Sequence, residues 1–137
     1  MTQRSDPKYF FTAEEIDRLI HAIDHGESKS TGRILVHLER RCPITDPLSR
    51  AIKIFQQLGL GDTHERNGVL IYFATEYQFF AVLADEGLNR RVPEGFWREV
   101  RTEMEAHFAK QKWLEGTLAA IHKIEDQLVK FFPKTSL

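Results

Sequence analysis

Two apolar runs separated by a short polar link constrain the fold more than any other feature of this sequence. The runs are residues 69–74 and 79–84, and the link is residues 75–78. Each run has the usual length of a strand and is short for a helix. A link of this length makes the two strands antiparallel neighbours. Because both runs are almost wholly apolar, we predict that helices cover both faces of their sheet.

A helix and a strand are predicted before this hairpin. Thr12 and Glu15 have the spacing of a capping box, and Gly26 is expected to end the helix that they begin. The apolar stripe of that helix is predicted at Ile16, Leu19, Ile20 and Ile23. Residues 34–39 then alternate between apolar and more polar positions, which is typical of a strand with one less buried face.

Three more helices complete the predicted order α-β-α-β-β-α-α. The first starts with Asp46 as its N-cap and Pro47 at its first position, and Gly59 fits its C-terminal cap. The other two begin near Pro93 and Trp113. A strand–helix–strand unit makes the first two strands parallel. The sequence therefore predicts an α/β protein, a three-layer α/β/α sandwich with a mixed sheet of three to four strands and helices on both faces.

Polar residues bracket the two apolar runs and are predicted to meet at one edge of the sheet. In a hairpin, the start of one strand lies beside the end of the other. The parallel first strand brings its start, Arg33, to the same edge, and the loop before the hairpin adds Asp62 and Glu65. We call this set the polar rim: Arg33, Asp62, Glu65, Arg66, Asn67, Gly68, Asp85, Glu86 and Gly87. Glu39 and Glu76 are placed at the opposite end.

Charge and cysteine content restrict the function and the compartment. The 137 residues include 19 basic and 20 acidic ones, a balance that argues against a dedicated nucleic-acid-binding protein. Cys42 is the single cysteine and has no partner for an internal disulfide, so a reducing compartment is expected. We see no signal peptide and no apolar run long enough to cross a bilayer. The expectation is a soluble cytoplasmic protein without direct membrane insertion.

Several segments of this sequence resemble the TPM domain family. They are "STGRILVHLE", "RNGVLIYFA", "ADEGL" and "VPEGFW", of which "RNGVLIY" followed by Asp-x-Gly-Leu is the most specific. The resemblance extends over residues 10–133, and the chain is most similar to the short soluble bacterial subtype. It implies a single domain over residues 10–133, with residues 1–9 as a flexible N-terminus and residues 134–137 as a C-terminal tail.

The resemblance implies divalent-cation binding at acidic residues and a phosphatase activity that has been attributed to some plant members. Calcium and magnesium are the expected cations, and no organic cofactor is expected. On the polar rim the candidate ligands are Asp85, Glu86, Asp62 and Glu65, while Arg33, Arg66, Asn67, Gly68 and Gly87 would shape the rim. A longer, membrane-anchored relative is a candidate protein partner.

Two departures from the family pattern bear on that cation site. Relatives commonly read Thr-Ser-Gly-Glu before the first strand, whereas residues 30–33 read Ser-Thr-Gly-Arg. Relatives often read Gly-Asp-x-Gly in the later turn, whereas residues 84–87 read Ala-Asp-Glu-Gly. Arginine in place of a carboxylate removes an oxygen ligand and adds a charge that repels a cation. Arg33 has two alternative roles, pairing with Asp85 or holding an anion.

Two functions from different classes follow from the sequence. The first is a weak divalent-cation-binding or protein-interaction module that uses the polar rim. The alternative is a metal-dependent phosphatase that hydrolyses phosphomonoesters at the same rim. The sequence contains no nucleophile elbow, phosphate-binding loop or dinucleotide fingerprint. Each rim residue also has a structural interpretation: Asp85 as turn chemistry, Asp62 and Glu65 as solvated loop charges, and Asn67-Gly68 as backbone with a positive φ.

Overall fold

A computed structural model describes residues 6–41 and 46–135. Cys42 lies outside the described residues. None of the described helices is long and apolar enough to cross a membrane. In chain order the elements are α1 (Pro7–Phe10), α2 (Ala13–Lys29), β1 (Arg33–Glu39), α3 (Pro47–Gln57), a 3-10 turn (Leu60–Asp62), β2 (Gly68–Ala74), β3 (Phe79–Ala84), α4 (Glu86–Asn89), α5 (Phe96–Ala109) and α6 (Trp113–Phe131).

The sheet has three strands in the order β1-β2-β3, so the mixed sheet predicted from the sequence is confirmed. β1 pairs parallel with β2, with Arg33 opposite Gly68. β3 pairs antiparallel with β2, with Ala84 opposite Val69. Every residue of the central strand β2 is buried. The starts of β1 and β2 and the end of β3 therefore share one edge of the sheet.

Alternating side chains of β2 enter two separate cores. Val69, Ile71 and Phe73 face a large core formed with α2, α5 and α6. Leu70 and Tyr72 face a smaller core formed with α3 and the 3-10 turn. This arrangement confirms the predicted α/β/α sandwich, with α3 as the cover of one face.

Aromatic rings connect the N-terminal helix to the large core. Phe10 of α1 lies with its ring centroid 5.3 Å from that of Phe73 and 5.3 Å from that of Trp113. Phe108 of α5 lies 5.7 Å from Phe73. Ring pairs at these separations contribute about 1 kcal/mol each beyond their burial. The helix α1 thus spans the boundary predicted between residues 9 and 10.

The predicted starts of α2 and α3 are confirmed, whereas α5 begins at Phe96 rather than at Pro93. The capping box is complete, because Glu15 N–H donates to Thr12 Oγ1 at 3.1 Å and Thr12 N–H donates to Glu15 Oε1 at 2.8 Å. Asp46 Oδ1 accepts from the backbone N–H of Leu48 at 3.1 Å. Gly59 follows α3 with φ of 74°, as expected of a glycine at a helix C-terminus.

Two expectations about α2 are wrong. The helix does not stop at Gly26 but continues to Lys29. Its apolar stripe is also narrower than predicted, since Leu19 is buried while Ile16 and Ile20 are 41% and 50% exposed. Gly26 is instead a packing position: a Cβ atom added there would lie 2.3 Å from the side chain of Glu125 on α6.

The turn after β3 also differs from the prediction, since it forms the short helix α4.

Glu125 is a carboxyl group held between two helices. Its residue is 7% exposed, and Oε1 has no hydrogen-bond partner among the described residues. Burial, followed by the charge of Asp126, raises the pKa of Glu125 from 4.5 to about 7. Glu27 on α2 acts in the same direction, whereas the Gly26 backbone and Lys29 oppose it. The carboxyl group of Glu125 therefore keeps its proton in the folded protein up to about pH 7.

Replacing Ile71 by Asp should prevent folding. Ile71 lies at the centre of β2 and is fully buried, so an aspartate there would place an unpaired charge in the large core. Ile20→Asp is the control, because this side chain is half exposed and its replacement should cost at most about 1 kcal/mol. Circular dichroism and thermal melting test both variants. A folded Ile71→Asp protein with the wild-type melting temperature would contradict the assignment of β2.

Glu125→Gln should stabilise the protein at neutral and alkaline pH. The unfolded chain releases this proton near pH 4.5 and the folded chain near pH 7. The stabilisation from the protonated form is thus complete below pH 4.5 and is lost as the pH rises through 7. We expect a gain of about 1–3 kcal/mol at pH 8 and almost none at pH 4. Urea unfolding at both pH values, with the exposed Glu94→Gln as control, measures this; equal gains at both would contradict it.

Candidate functional site

The polar rim forms where the sequence places it, at one edge of the sheet. Arg33 begins β1 directly opposite Gly68, the first residue of β2. Asp85 follows β3, and its backbone N–H donates to the carbonyl oxygen of Gly68 at 3.0 Å. The backbone N–H of Leu88 donates to the carbonyl of Arg66 at 3.3 Å. Backbone hydrogen bonds thus hold together segments that are 17 and 22 residues apart in sequence.

A two-point ion pair between Arg66 and Asp85 occupies the centre of the rim. Arg66 Nε donates to Asp85 Oδ2 at 2.6 Å, and a second guanidinium nitrogen donates to Oδ1 at 2.8 Å. Asp85 Oδ1 also accepts from the backbone N–H of Glu86 at 2.8 Å, which caps α4. Asp85 is nearly buried. Of the two basic residues at the rim, it is therefore Arg66 and not Arg33 that pairs with Asp85.

This ion pair determines the charge state of Asp85. Burial by itself raises the pKa of the Asp85 carboxyl group. The hydrogen bonds from Arg66, the Glu86 N–H and the Arg66 charge together outweigh burial and lower the pKa below its usual value. Asp85 is consequently a carboxylate at neutral pH, and both of its oxygens already have donors.

The backbone around the ion pair differs from the sequence expectation. Asn67 and Gly68 were expected to need a positive φ, but Arg66 is the residue with φ of 54°. This left-handed turn lets the Arg66 side chain turn back toward α4. Gly87 is required for a separate reason, because a Cβ atom there would lie 2.0 Å from the carbonyl oxygen of Glu65. Gly87 thus permits the close approach of α4 to the loop before β2.

Three polar side chains at the rim are connected by hydrogen bonds. Asn67 Nδ2 donates to Thr31 Oγ1 at 3.0 Å, and Thr31 Oγ1 donates to Glu65 Oε1 at 2.8 Å. Asn67 is fully buried, and its backbone N–H donates to Thr63 Oγ1 at 3.1 Å. Asn67 Oδ1 has no hydrogen-bond partner among the described residues. Sequence reasoning missed Thr31 and Thr63, for which the sequence offers no signal beyond their nearness to Arg33 and Arg66.

The remaining rim charges lie further out. Glu86 Oε1 is 3.6 Å from an Arg66 nitrogen, and Glu86 Oε2 is 3.5 Å from Arg90. Asp62 lies near enough to help raise the pKa of Arg66, after the larger effects of Asp85 and Glu86. Arg33 is exposed and has no ion pair within 4 Å in residues 6–41 and 46–135. In those same ranges no three His, Cys, Asp or Glu side chains are grouped closely enough to hold a metal ion.

The carboxylates at the opposite end of the sheet are also paired with arginines. Glu39 accepts hydrogen bonds from the Arg50 guanidinium and, at 2.7 Å, from the Tyr72 hydroxyl. The Arg50 hydrogen bond is the largest of several effects that together lower the pKa of Glu39. Glu76 accepts from Arg41. Both ends of the sheet therefore carry carboxylate–arginine pairs.

The domain is an α/β/α sandwich with a small mixed sheet between helical layers. Its polar side chains collect where two strands start and the third ends. The model of the TPM domain family matches residues 5–127, which is most of the chain. The chain therefore belongs to the TPM domain family, as the sequence motifs indicated.

Solved structures show the same architecture. The BA42 protein from the psychrophilic bacterium Bizionia argentinensis is 35% identical, with a TM-score of 0.84 over 93% of this chain and 87% of that one. The N-terminal domain of cg2496 from Corynebacterium glutamicum is 14% identical, with a TM-score of 0.70 over 93% and 80%. An N-terminal domain from P. gingivalis is 17% identical, with a TM-score of 0.70 over 92% and 83%. No curated protein matches the chain.

Replacing Arg66 by Gln should destabilise the protein at neutral pH. The change leaves the Asp85 carboxylate nearly buried without its counter-charge, at a cost of about 1–3 kcal/mol. Because the pKa of Asp85 is lowered in the folded protein, the ion pair stabilises the fold at pH values above the ordinary pKa of an aspartate. Protonation of Asp85 removes this stabilisation as the pH falls. Urea unfolding at pH 7 and at acid pH measures the effect, which should shrink in acid.

Arg90→Gln is the matched control, because Arg90 pairs with the rim residue Glu86 and its side chain is 75% exposed. An exposed pair with Glu86 contributes about 0–1 kcal/mol. Equal losses for the two variants would show that Arg66 and Asp85 do not form the central contact of the rim.

Proposed function

We propose that this TPM domain is a binding module whose polar rim takes up a divalent cation weakly, in competition with Arg66. The observation that carries the proposal is the buried Asn67 Oδ1, an amide oxygen without a hydrogen-bond partner among the described residues. Hard cations such as calcium and magnesium prefer carboxylate and amide oxygens. The donor chemistry of the rim therefore fits such an ion.

The residues that would hold the cation are the rim carboxylates together with Asn67. Thr31 connects Glu65 to Asn67 by hydrogen bonds, so these two candidate ligands belong to one hydrogen-bonded chain. Asp85, Glu86 and Asp62 are the other candidate ligands. When bound, the cation would supply positive charge that recruits anionic groups of a partner to the rim.

Arg66 explains why the affinity should be low. The Arg66 guanidinium donates hydrogen bonds to both carboxylate oxygens of Asp85. The Arg66 side chain is 49% exposed, so it can move into solvent when a cation binds. A cation must displace this charge before Asp85 can bind it, and Arg33 adds a further repulsion at the start of β1. We therefore expect dissociation constants of about 10⁻⁴–10⁻³ M, the range of weak calcium sites.

Calcium and magnesium titrations of the wild type and three rim variants test the proposal. Arg66→Gln should tighten binding because it frees Asp85, and Arg33→Glu should tighten it by adding a carboxylate. Asp85→Asn should abolish binding. Isothermal calorimetry gives the affinities, and amide shifts in NMR spectra locate the ion, with Glu94→Gln as the control outside the rim. Equal affinities in all variants, or shifts away from the rim, would overturn the proposal.

The alternative function is hydrolysis of a phosphomonoester at the same rim. A bound metal ion would provide an activated water for that reaction. Release of nitrophenol from p-nitrophenyl phosphate, measured with magnesium and with a chelator, distinguishes the two functions. Turnover that is metal-dependent and absent in Asp85→Asn would establish the phosphatase, and cation binding without turnover supports the binding module. A longer membrane-anchored TPM relative remains the proposed partner, and a cytoplasmic location remains a prediction.

A further inference from the structure

The outer edge of β3 is a second surface that the polar rim does not use. β3 is a terminal strand of the sheet, with β2 on one side. Its sequence, Phe-Phe-Ala-Val-Leu-Ala, contains no charge, no proline and no glycine. Edge strands of monomeric proteins often carry a charge or a proline, either of which prevents pairing with another chain. The composition of β3 thus leaves its edge open to strand pairing.

Backbone geometry identifies the groups that point outward from this edge. Asp85 N–H donates to Gly68 directly opposite, and hydrogen-bonded pairs alternate along an antiparallel ladder. The backbone groups of Ala81 and Leu83 therefore face β2, while those of Phe80, Val82 and Ala84 face away from it. Asn89 Nδ2 donates to the outward carbonyl of Ala84 at 2.9 Å, which agrees with this alternation.

A groove of about 430 Å³ runs along the same edge. Leu48 of α3 forms one wall and is 50% exposed, and α5 forms the other wall with Arg101 and Glu105. These two opposite charges are one helical turn apart and both are exposed. In the described part of the chain neither makes an ion pair within 4 Å. The groove therefore combines an open strand edge, an apolar wall and one free charge of each sign.

We propose that this groove pairs with a second copy of the chain, β3 against β3 in antiparallel order, which extends the sheet to six strands across a two-fold axis. A two-fold axis places the two α5 helices in opposite directions, so Arg101 of each copy meets Glu105 of the other. The surface that carries these two charges is therefore complementary to the same surface of a second copy. The outward groups of Phe80 pair with those of Val82 in the other copy, and the small side chain of Ala81 lies at the axis, where facing strands approach closely.

Charge reversal tests this pairing without disturbing the core. Sedimentation equilibrium from about 10 μM to about 1 mM protein gives the dimer dissociation constant. Arg101→Glu and Glu105→Arg each replace two attractions by two repulsions, so each should weaken the dimer about tenfold or more. The double variant Arg101→Glu, Glu105→Arg restores opposite charges and should return within about threefold of the wild type. Arg98→Glu makes the same charge change on α5 outside the groove and should have little effect.

Hydrogen exchange supplies an independent measurement. The amides of Phe80 and Val82 should become more protected as the protein concentration rises, while rim amides stay unchanged. A wild type that remains monomeric at about 1 mM would overturn the proposal. So would a dimer that Arg101→Glu leaves intact, a double variant that fails to recover, or protection that maps elsewhere.

Discussion

The central strand β2 is completely buried, and the positions of the other elements follow from that burial. A strand buried on both faces needs helical cover on each side and hydrogen-bonding partners along each edge. β1 and β3 satisfy its backbone, while α3 covers one face and α2, α5 and α6 cover the other. Because charge is excluded from the strand itself, polar residues collect at its ends. The polar rim is therefore a consequence of the same burial that builds the core.

Arginine is the cation that the structure already provides at this rim. Arg66 neutralises Asp85, and at the opposite end of the sheet Arg50 neutralises Glu39. In a structural metal site the ion contributes to folding directly. Here a divalent cation would exchange with a guanidinium, so the folded state is available with or without it. Such an arrangement suits reversible binding.

The two proposed surfaces lie on different parts of the sheet and use different chemistry. The rim is polar and is organised around the Arg66–Asp85 pair, whereas the edge of β3 is apolar and is bordered by Arg101 and Glu105. A dimer paired through β3 would present two polar rims, one from each chain, and would therefore carry two binding sites.

Sequence patterns were enough to predict the strands, their order, the starts of α2, α3 and α6, and the meeting of the rim segments, because these features depend on local periodicity, capping residues and short connections. Only the folded structure shows that Arg66 rather than Arg33 pairs with Asp85, and that Gly26 makes room for Glu125 instead of ending α2. These contacts join residues far apart in the chain. A sequence pattern reports how a residue relates to its neighbours, whereas the partner of a side chain is set by how separate elements pack.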